Sequence, residues 1–411
     1  MSSLEQSATT PRAPSVFANT YFRNLWIGGT VSALGDQFYL VALPWLVLQL
    51  TGSNLAVGTV LMCAAIPRAV LMLGGGAVSD RIAPRRIMLT TASTRTIFVG
   101  AVGVLVWLHV IQLWHLYVLA SAFGIADAFG LPAMQSLLPQ LVEREQLPSA
   151  NAAFQSLYQI ATMLGPAPAG IVIKALGTAW AFLIDAVSFL FVLAPIYGLP
   201  RTKPTPKPRQ EGKHFGHDIL DGLHYVWRDA AMRGLLILMT GVNLCMSGPI
   251  IVGLAALAKF RFGTPTAFGA LISAWSGGAL VGSLVAGTRK QRTHRGWTMI
   301  LASAVVSLAI ATIGVLPNEL SMAAALALAG LVGGYNNVVL ISWFQQRVEH
   351  AFMGRVMSVL MFGWVGLMPV SYPLAGALAQ WSIDGMFVIA GLTAAGIAAL
   401  CALSPSLRRV D

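Results

Sequence analysis

Charge is scarce in this sequence. Only 10% of its 411 residues are Asp, Glu, Lys or Arg, against about 25% in soluble domains, too few to cover a soluble surface. Cysteine is nearly absent. Cys63, Cys245 and Cys401 fall inside apolar stretches without metal-type spacing, which gives no disulfide framework or zinc site and reads them as small core residues. A Walker loop, an HExxH helix and a placed Ser/His/Asp set are missing as well. Enzyme chemistry, including ATP hydrolysis, therefore has no support, and neither a cofactor nor a metal is expected. His214 and His217 read as solvated linker residues. The first 22 residues hold no apolar core of signal-peptide type, so no cleavage is expected.

What is present is apolar length. Hydrophobic residues make up 56% of the chain, and runs long enough for a membrane helix, about 20 residues, recur from Leu25 onward. Twelve spans are expected: 24–50, 55–79, 88–110, 114–138, 150–174, 179–199, 231–258, 266–288, 297–316, 320–344, 355–380 and 385–404. The fold class this implies is an all-α membrane protein.

The net charge of +11 could signal nucleic acid, but the positions of the bases say otherwise. With the N-terminus inside, cytoplasmic segments hold Arg12, Arg23, Arg81, Arg85, Arg86, Arg144, the cluster from Arg201 to Arg233, Arg289 to Arg295, Arg347, Arg355, Arg408 and Arg409; Lys174, Lys259 and Arg261 fall outside. That asymmetry follows the positive-inside rule. Both termini are expected in the cytoplasm of a bacterial inner membrane, with lipid headgroups rather than nucleic acid as partners of the basic surface.

The longest hydrophilic break begins at Pro200 with "PRTKPTPKPRQEGKHFG", a semi-rigid linker by its Pro and Lys/Arg content. After it, Ile219, Leu220, Leu223, Val226 and Trp227 fall at helical spacing, as in an amphipathic helix on the inner surface. The expected organisation is a tail (1–23), a six-helix bundle (24–199), the linker with its amphipathic helix (200–230), a second six-helix bundle (231–404) and a tail (405–411). The halves also align weakly with each other. Gly76 matches Gly287 at an offset of 211, and Ala169-Gly170 matches Ala375-Gly376 at an offset of 206. Two six-helix halves related along the membrane normal form a transporter architecture.

Specific motifs add a resemblance. Gly76-x-x-x-Asp80-Arg81-x-x-x-Arg85-Arg86 resembles the signature loop of the major facilitator superfamily, and Gly165-Pro166-Ala167-Pro168-Ala169-Gly170 is similar to the fifth-helix motif of its antiporters. "GDQFYLVALPWLVLQLTGS" and "LLPQLVEREQLPSANA" resemble its twelve-helix drug/proton antiporter-like exporters, related to the enterobactin and macrolide efflux proteins. The resemblance covers essentially the whole chain and implies two pseudo-symmetric bundles and secondary transport. Ala83 and Ala169 stand where the family usually has Gly, and the fourth-helix Arg of many drug/proton antiporters is missing near Ala120 and Ser121.

Charges inside a membrane are costly and expected to face a cavity or a partner. Asp36, Arg68, Arg95, Asp127 and Asp185 are so placed, all in the first half. Asp36 lies thirteen residues after Arg23, Arg68 twelve before Asp80, and Asp127 twelve before Pro139, each about 18–20 Å from the cytoplasmic landmark. That shared depth is where transporter sites lie. Asp36 or Asp127 is expected to take up a proton in alternation with substrate, with Arg68 as counter-charge; the alternative is a structural Asp36–Arg68 pair. Asp185 reads as structural. Arg95 is placed nearer the cytoplasm, bracing the loop that holds Gly76, Asp80, Arg81, Arg85 and Arg86.

Asp80 is expected to act as a gate against a facing helix N-terminus, and its Arg neighbours either as gate partners or as topological anchors. Gly165, Pro166 and Gly170 kink or seal the fifth helix, or simply pack tightly. Asn243, Trp275, Asn336, Asn337, Trp364 and Tyr372 are candidate cavity-lining residues, with packing as the alternative. The functional expectation is a monomeric exporter of an amphipathic small molecule, a drug-like compound or siderophore-like metabolite, with protons as coupling ion. An importer or lysophospholipid transporter on the same fold, and a non-transporting receptor or scaffold, are the alternatives.

Overall fold

The computed structural model describes residues 15–79, 82–199, 215–288, 294–349, 352–408 and 410. These are helical nearly throughout, as they must be: in lipid no water is available to satisfy backbone N–H and C=O groups, and a helix satisfies them internally. The helices are α1 (Thr20–Thr51), α2 (Asn54–Ser79), α3 (Pro84–Trp107), α4 (Leu113–Leu141), α5 (Leu147–Leu164), α6 (Pro166–Leu176), α7 (Thr178–Gly198) and α8 (Phe215–Arg228). There follow α9 (Ala230–Phe262), α10 (Pro265–Thr288), α11 (Arg295–Ile313), α12 (Glu319–Arg347), α13 (Met353–Val365), α14 (Met368–Trp381) and α15 (Ile383–Ala402).

Among the described residues eleven stretches are long and apolar enough to cross a membrane, and counting the bent pair α5–α6 as one span makes twelve. The helix starts follow local chemistry. Asn19 caps α1 by accepting from the N–H groups of Tyr21 and Phe22, and Asp229 caps α9 by accepting from Ala231 and Met232. Gly52 ends α1 with φ +64°, a left-handed conformation that glycine adopts without penalty.

Three departures from uninterrupted spans are visible. The fifth span bends by 43° between α5 and α6, because Pro166 brings no N–H to the helix ladder. The seventh, α9, passes through π-helical turns at Pro249–Gly253 and Ala258–Phe262. The eleventh breaks at Gly366 and Leu367, between α13 and α14.

The apolar interior falls into three clusters. One draws only on residues from Val16 to Leu199 and a second only on residues from Val226 to Val410. The third takes residues from both halves, such as Val41, Leu46, Phe182, Leu257, Phe268 and Ala375. Val16 and Val410 belong to the two separate clusters, so among the described residues the apolar cores of the halves are parted at the end where Val16 and Val410 lie, and merge at the other.

The packed end is built from two matching crossings. At one, a methyl on Gly269 of α10 would lie 3.2 Å from Ala167 Cα and one on Gly170 would lie 2.6 Å from the Pro265 carbonyl oxygen. At the other, a methyl on Gly58 of α2 would lie 2.8 Å from Pro373 Cα and one on Gly376 would lie 2.6 Å from the Asn54 carbonyl oxygen. Gly58 and Gly269 are 211 residues apart, and Gly170 and Gly376 are 206 apart, the two offsets at which the halves align in sequence. Hydrogen bonds tie each crossing: Ala167 N–H donates to Ser273 Oγ (3.2 Å), and Asn54 Nδ2 donates to the Ala379 carbonyl (3.0 Å).

Helix α8 packs onto the second half. It docks on α13: Asp221 pairs with Arg355 at 3.4 Å, Tyr225 stacks on Phe352 at 4.7 Å, and Val226 is fully buried. Leu220 and Trp227 remain exposed. The Pro/Lys-rich stretch 200–214 lies outside the described residues.

Candidate functional site

Four helices of the first half bring four intramembrane charges together. Asp127 on α4 sits between two guanidinium groups: Arg95 Nη2 contacts its Oδ1, and Arg68 Nε lies 3.0 Å from its Oδ2. Arg95 Nη1 stands 3.7 Å from Asp36 Oδ1. The order is Arg68, Asp127, Arg95, Asp36, alternating in sign, which is how buried charges offset desolvation.

The Arg95 guanidinium also lies over two aromatic faces, 4.7 Å from the centroid of Phe123 and 5.5 Å from that of Phe189, where ring quadrupoles favour a cation. Tyr39 stacks on Phe123 at 4.4 Å. Arg95 is thus enclosed, with a side chain 16% exposed, whereas Arg68 is 43% exposed. Buried polar atoms without a hydrogen-bond partner include Asp36 Oδ1, Arg95 Nε and Asp185 Oδ2.

Two expectations are corrected here. Among the described residues, Arg95 contacts Asp127 and Asp36 and not the signature loop. It lies eleven residues into α3, counted from Pro84, about 16 Å of rise, and its long side chain carries the charge on to Asp127 and Asp36. Nor is Asp36 the partner of Arg68: among the described residues the ion pairs run Arg68–Asp127 and Arg95–Asp36.

A cavity of about 540 Å³ opens beside the cluster. Asp36, Arg68, Arg95 and Asp127 line it together with Tyr39, Phe123, Phe154, Tyr158, Phe189 and Tyr372, so a charged strip and an aromatic wall share its lining. The second half contributes Ile251, Val365, Met368 and Tyr372. Ile251 sits in a π-helical turn of α9, and Val365 and Met368 flank the α13–α14 break. Irregular backbone at membrane depth is tolerated where it is buried or lines a cavity.

Of the six candidate lining residues, Tyr372 alone borders this cavity. Asn243 and Trp364 satisfy each other instead, the indole N–H donating to the amide oxygen at 2.9 Å and the amide nitrogen donating to the Trp364 carbonyl at 3.0 Å. Asn336 donates to Ser303 Oγ at 3.4 Å, the Trp275 backbone packs on Gly330, and Asn337 is half-buried away from the cavity. Tyr39, Phe123 and Phe189 were missed. Their signal was legible: they stand three or four positions from Asp36, Asp127 and Asp185 in sequence, on the same helix face as each acid.

The fifth-helix motif lies at a crossing between halves. A methyl on Gly165 would lie 2.5 Å from Gln37 Cγ, and Pro166 and Gly170 face α10. Of the signature loop, Arg85 donates to the carbonyls of Ile196 and Tyr197, both at 2.9 Å, tying the start of α3 to the last turn of α7, where a cation suits the helix dipole. Arg86 is exposed, Gly76 lies within α2, and Asp80 and Arg81 lie outside the described residues. In the second half Asp229, the cap of α9, also pairs with Arg347 at 3.1 Å. Partial burial works against its ionised form, but the N–H groups of Met232 and Ala231 and the Arg347 guanidinium outweigh this and hold the carboxyl below its ordinary range.

The chain is similar in sequence and fold to known proteins. The multidrug efflux pump Tap of Mycolicibacterium fortuitum is 27% identical over 398 residues, covering 92% of this chain and 94% of the relative. The enterobactin exporter EntS of Escherichia coli is 25% identical over 337 residues, covering 82% and 79%. Among solved structures, the nucleoside transporter NupG superposes with a TM-score of 0.74 at 12% identity, covering 93% of this chain and 98% of that one. A bacterial homologue of the iron transporter ferroportin, in an inward-facing state, gives 0.68 at 16% identity, covering 94% and 99%. These likenesses show the fold. The profile of the Major Facilitator Superfamily matches residues 25–368, and the chain belongs to that family of membrane transporters.

Proposed function

We propose that the protein is a proton-coupled exporter of an amphipathic small molecule, a drug-like compound or siderophore-like metabolite, in the bacterial inner membrane with both termini cytoplasmic. The observation that carries this reading is the Arg68–Asp127–Arg95–Asp36 chain lining a cavity with an aromatic wall. Aromatic faces hold an apolar or cationic body, and ion pairs in a low-dielectric site respond strongly to the arrival of a proton or a charge. Protonation of Asp36 or Asp127 weakens the hold on Arg95, and substrate entering from the parted end competes for the same groups. The names of two relatives, an efflux pump and an exporter, favour the outward direction.

Everted membrane vesicles from a strain overproducing the protein test this with ethidium as probe. Accumulation that needs the imposed pH gradient, collapses with an uncoupler and is absent from vesicles without the protein supports the reading. Uptake insensitive to the uncoupler, or no ethidium movement beside tight binding, overturns it.

A further inference from the structure

Behind the charged strip lies a fifth ionisable group that the cavity does not reach. Asp185 on α7 is 0% exposed and does not border the cavity. Its Oδ2 has no hydrogen-bond partner, and its Oδ1 receives one long hydrogen bond, from Ser188 Oγ at 3.4 Å. Its site is tight: a methyl on Gly35 of α1 would lie 2.8 Å from Asp185 Oδ1. Glycine at that position leaves the carboxyl its room.

The helices packed on α7 are α1, α3 and α6. From α1, Asp36 and Tyr39 are within electrostatic reach of Asp185, and from α3, Arg95 is. The short α6 carries only Lys174, in its last turn. No cation of the described residues forms an ion pair with Asp185 within 4.0 Å. An ionised carboxylate with neither counter-charge nor adequate donors in a water-free interior is too costly to persist; such a group neutralises instead.

Three orphaned atoms lie in this region: Arg95 Nε, Asp36 Oδ1 and Asp185 Oδ2. One donor and two acceptors without hydrogen-bond partners, one of the acceptors held only by the long Arg95–Asp36 ion pair, form a partly satisfied network, and such networks are costly unless another arrangement satisfies them. Arg95 is the shared element. It contacts Asp127 and Asp36, it is the cation acting on Asp185, and its guanidinium lies over Phe189, one turn from Asp185.

We propose that Asp185 is the inner member of a two-carboxyl proton relay, holding a proton in this state and delivering it to Asp36, while Arg95 moves from the Asp36 carboxylate to that of Asp185. In the step, the O–H bond on Asp185 breaks and an O–H bond on Asp36 forms. The negative charge passes from Asp36 to Asp185, and the guanidinium follows it. Asp36, which borders the cavity, then releases the proton there. This rests on the antiport reading for its place in a cycle, but the exchange between the two acids can be tested without substrate.

Infrared spectra of the full-length protein in liposomes at pH 7 decide it. Wild type is expected to show the carbonyl band of a buried protonated carboxylic acid, and Asp185→Asn to lack it. In Asp36→Asn the amide mimics the protonated acid and leaves Arg95 to Asp185, so the Asp185 band is expected to disappear. Asp36→Ser gives the same comparison should the amide variant fold poorly. A wild type without the band, or a band unchanged in a folded Asp36 variant, overturns the proposal, because a merely structural neutral acid is indifferent to Asp36.

Transport separates this proposal from the reading beneath it. If wild type moves ethidium on a pH gradient, Asp185→Asn is expected to lose at least tenfold in rate and Asp185→Glu to recover part of it; equal rates for wild type and Asp185→Asn overturn the relay alone. If wild type shows no gradient dependence, the antiport reading falls, and the infrared comparison still decides the exchange.

Discussion

Arg68 Nε stands 3.0 Å from Asp127 Oδ2, while Arg95 occupies the other oxygen of the same carboxylate. Among the described residues, Asp127 is thus the one acid holding two cations. Replacing it by Asn leaves both guanidinium groups short of a counter-charge, which is more damaging than loss of the pair as a whole. Asp127→Asn is expected to lower gradient-driven ethidium transport in vesicles at least tenfold while the protein remains in the membrane. Retained transport would show that the two Arg residues need no shared anion.

How much of this was legible beforehand depends on what the lipid demands of each residue. Long apolar runs and rare charges announce themselves because the bilayer tolerates little else, so the spans and the depth of Asp36, Arg68 and Asp127 could be read. Arg95 was misplaced because counting residues fixes Cα and not the end of a long side chain. Asn243, Trp275 and Trp364 were misassigned for a different reason. A helix apolar all round carries no stripe to reveal its rotation, so which side chains face a cavity is settled only by packing, as with Asn243 and Trp364, which pair with each other.

The two arginines should respond differently to lysine. Arg95 contacts two carboxylates and two aromatic faces with one planar group, which an ammonium cannot reproduce. Arg68 makes one ion pair and is 43% exposed. Arg95→Lys is expected to cost at least tenfold in ethidium transport and Arg68→Lys only a few-fold, measured side by side at matched protein levels. Equal losses would place the two in the same role.

Asp229 sets an acid limit on one part of the structure. Its carboxyl titrates below the ordinary range when folded, whereas the unfolded value is about 3.9. The stabilisation is therefore complete above the unfolded value and is lost as pH falls through the folded one. At neutral pH Asp229→Ala should cost about 1 kcal/mol through the lost cap of α9. The gap in thermal midpoint between wild type and the variant should then narrow as pH drops below about 4. A gap that is constant with pH would show that the carboxylate's charge contributes nothing there.

A wedge at the packed end should shift the whole molecule. A methyl on Gly269 meets the Pro166 carbonyl and the Ala167 backbone, with no flexible side chain to yield. Gly269→Ala is expected to part α6 from α10 and favour the conformation open at that end. Spin labels at Leu55→Cys and Trp381→Cys, both exposed near the other crossing, would report it as a longer distance in the variant. An unchanged distance would mean that the two crossings open independently.

Both crossings are made of main chain meeting main chain, with glycine where each pair comes closest. No rotamer flip can unlatch such a joint; only whole helices moving apart can do so, and the matched pair leaves them little freedom to part singly. Tyr372 excepted, the side chains around the cavity stand away from these crossings. On the proposed reading of the cavity as the substrate site, selectivity can therefore drift through ordinary substitutions among its aromatic residues while the timing of the machine stays as it was.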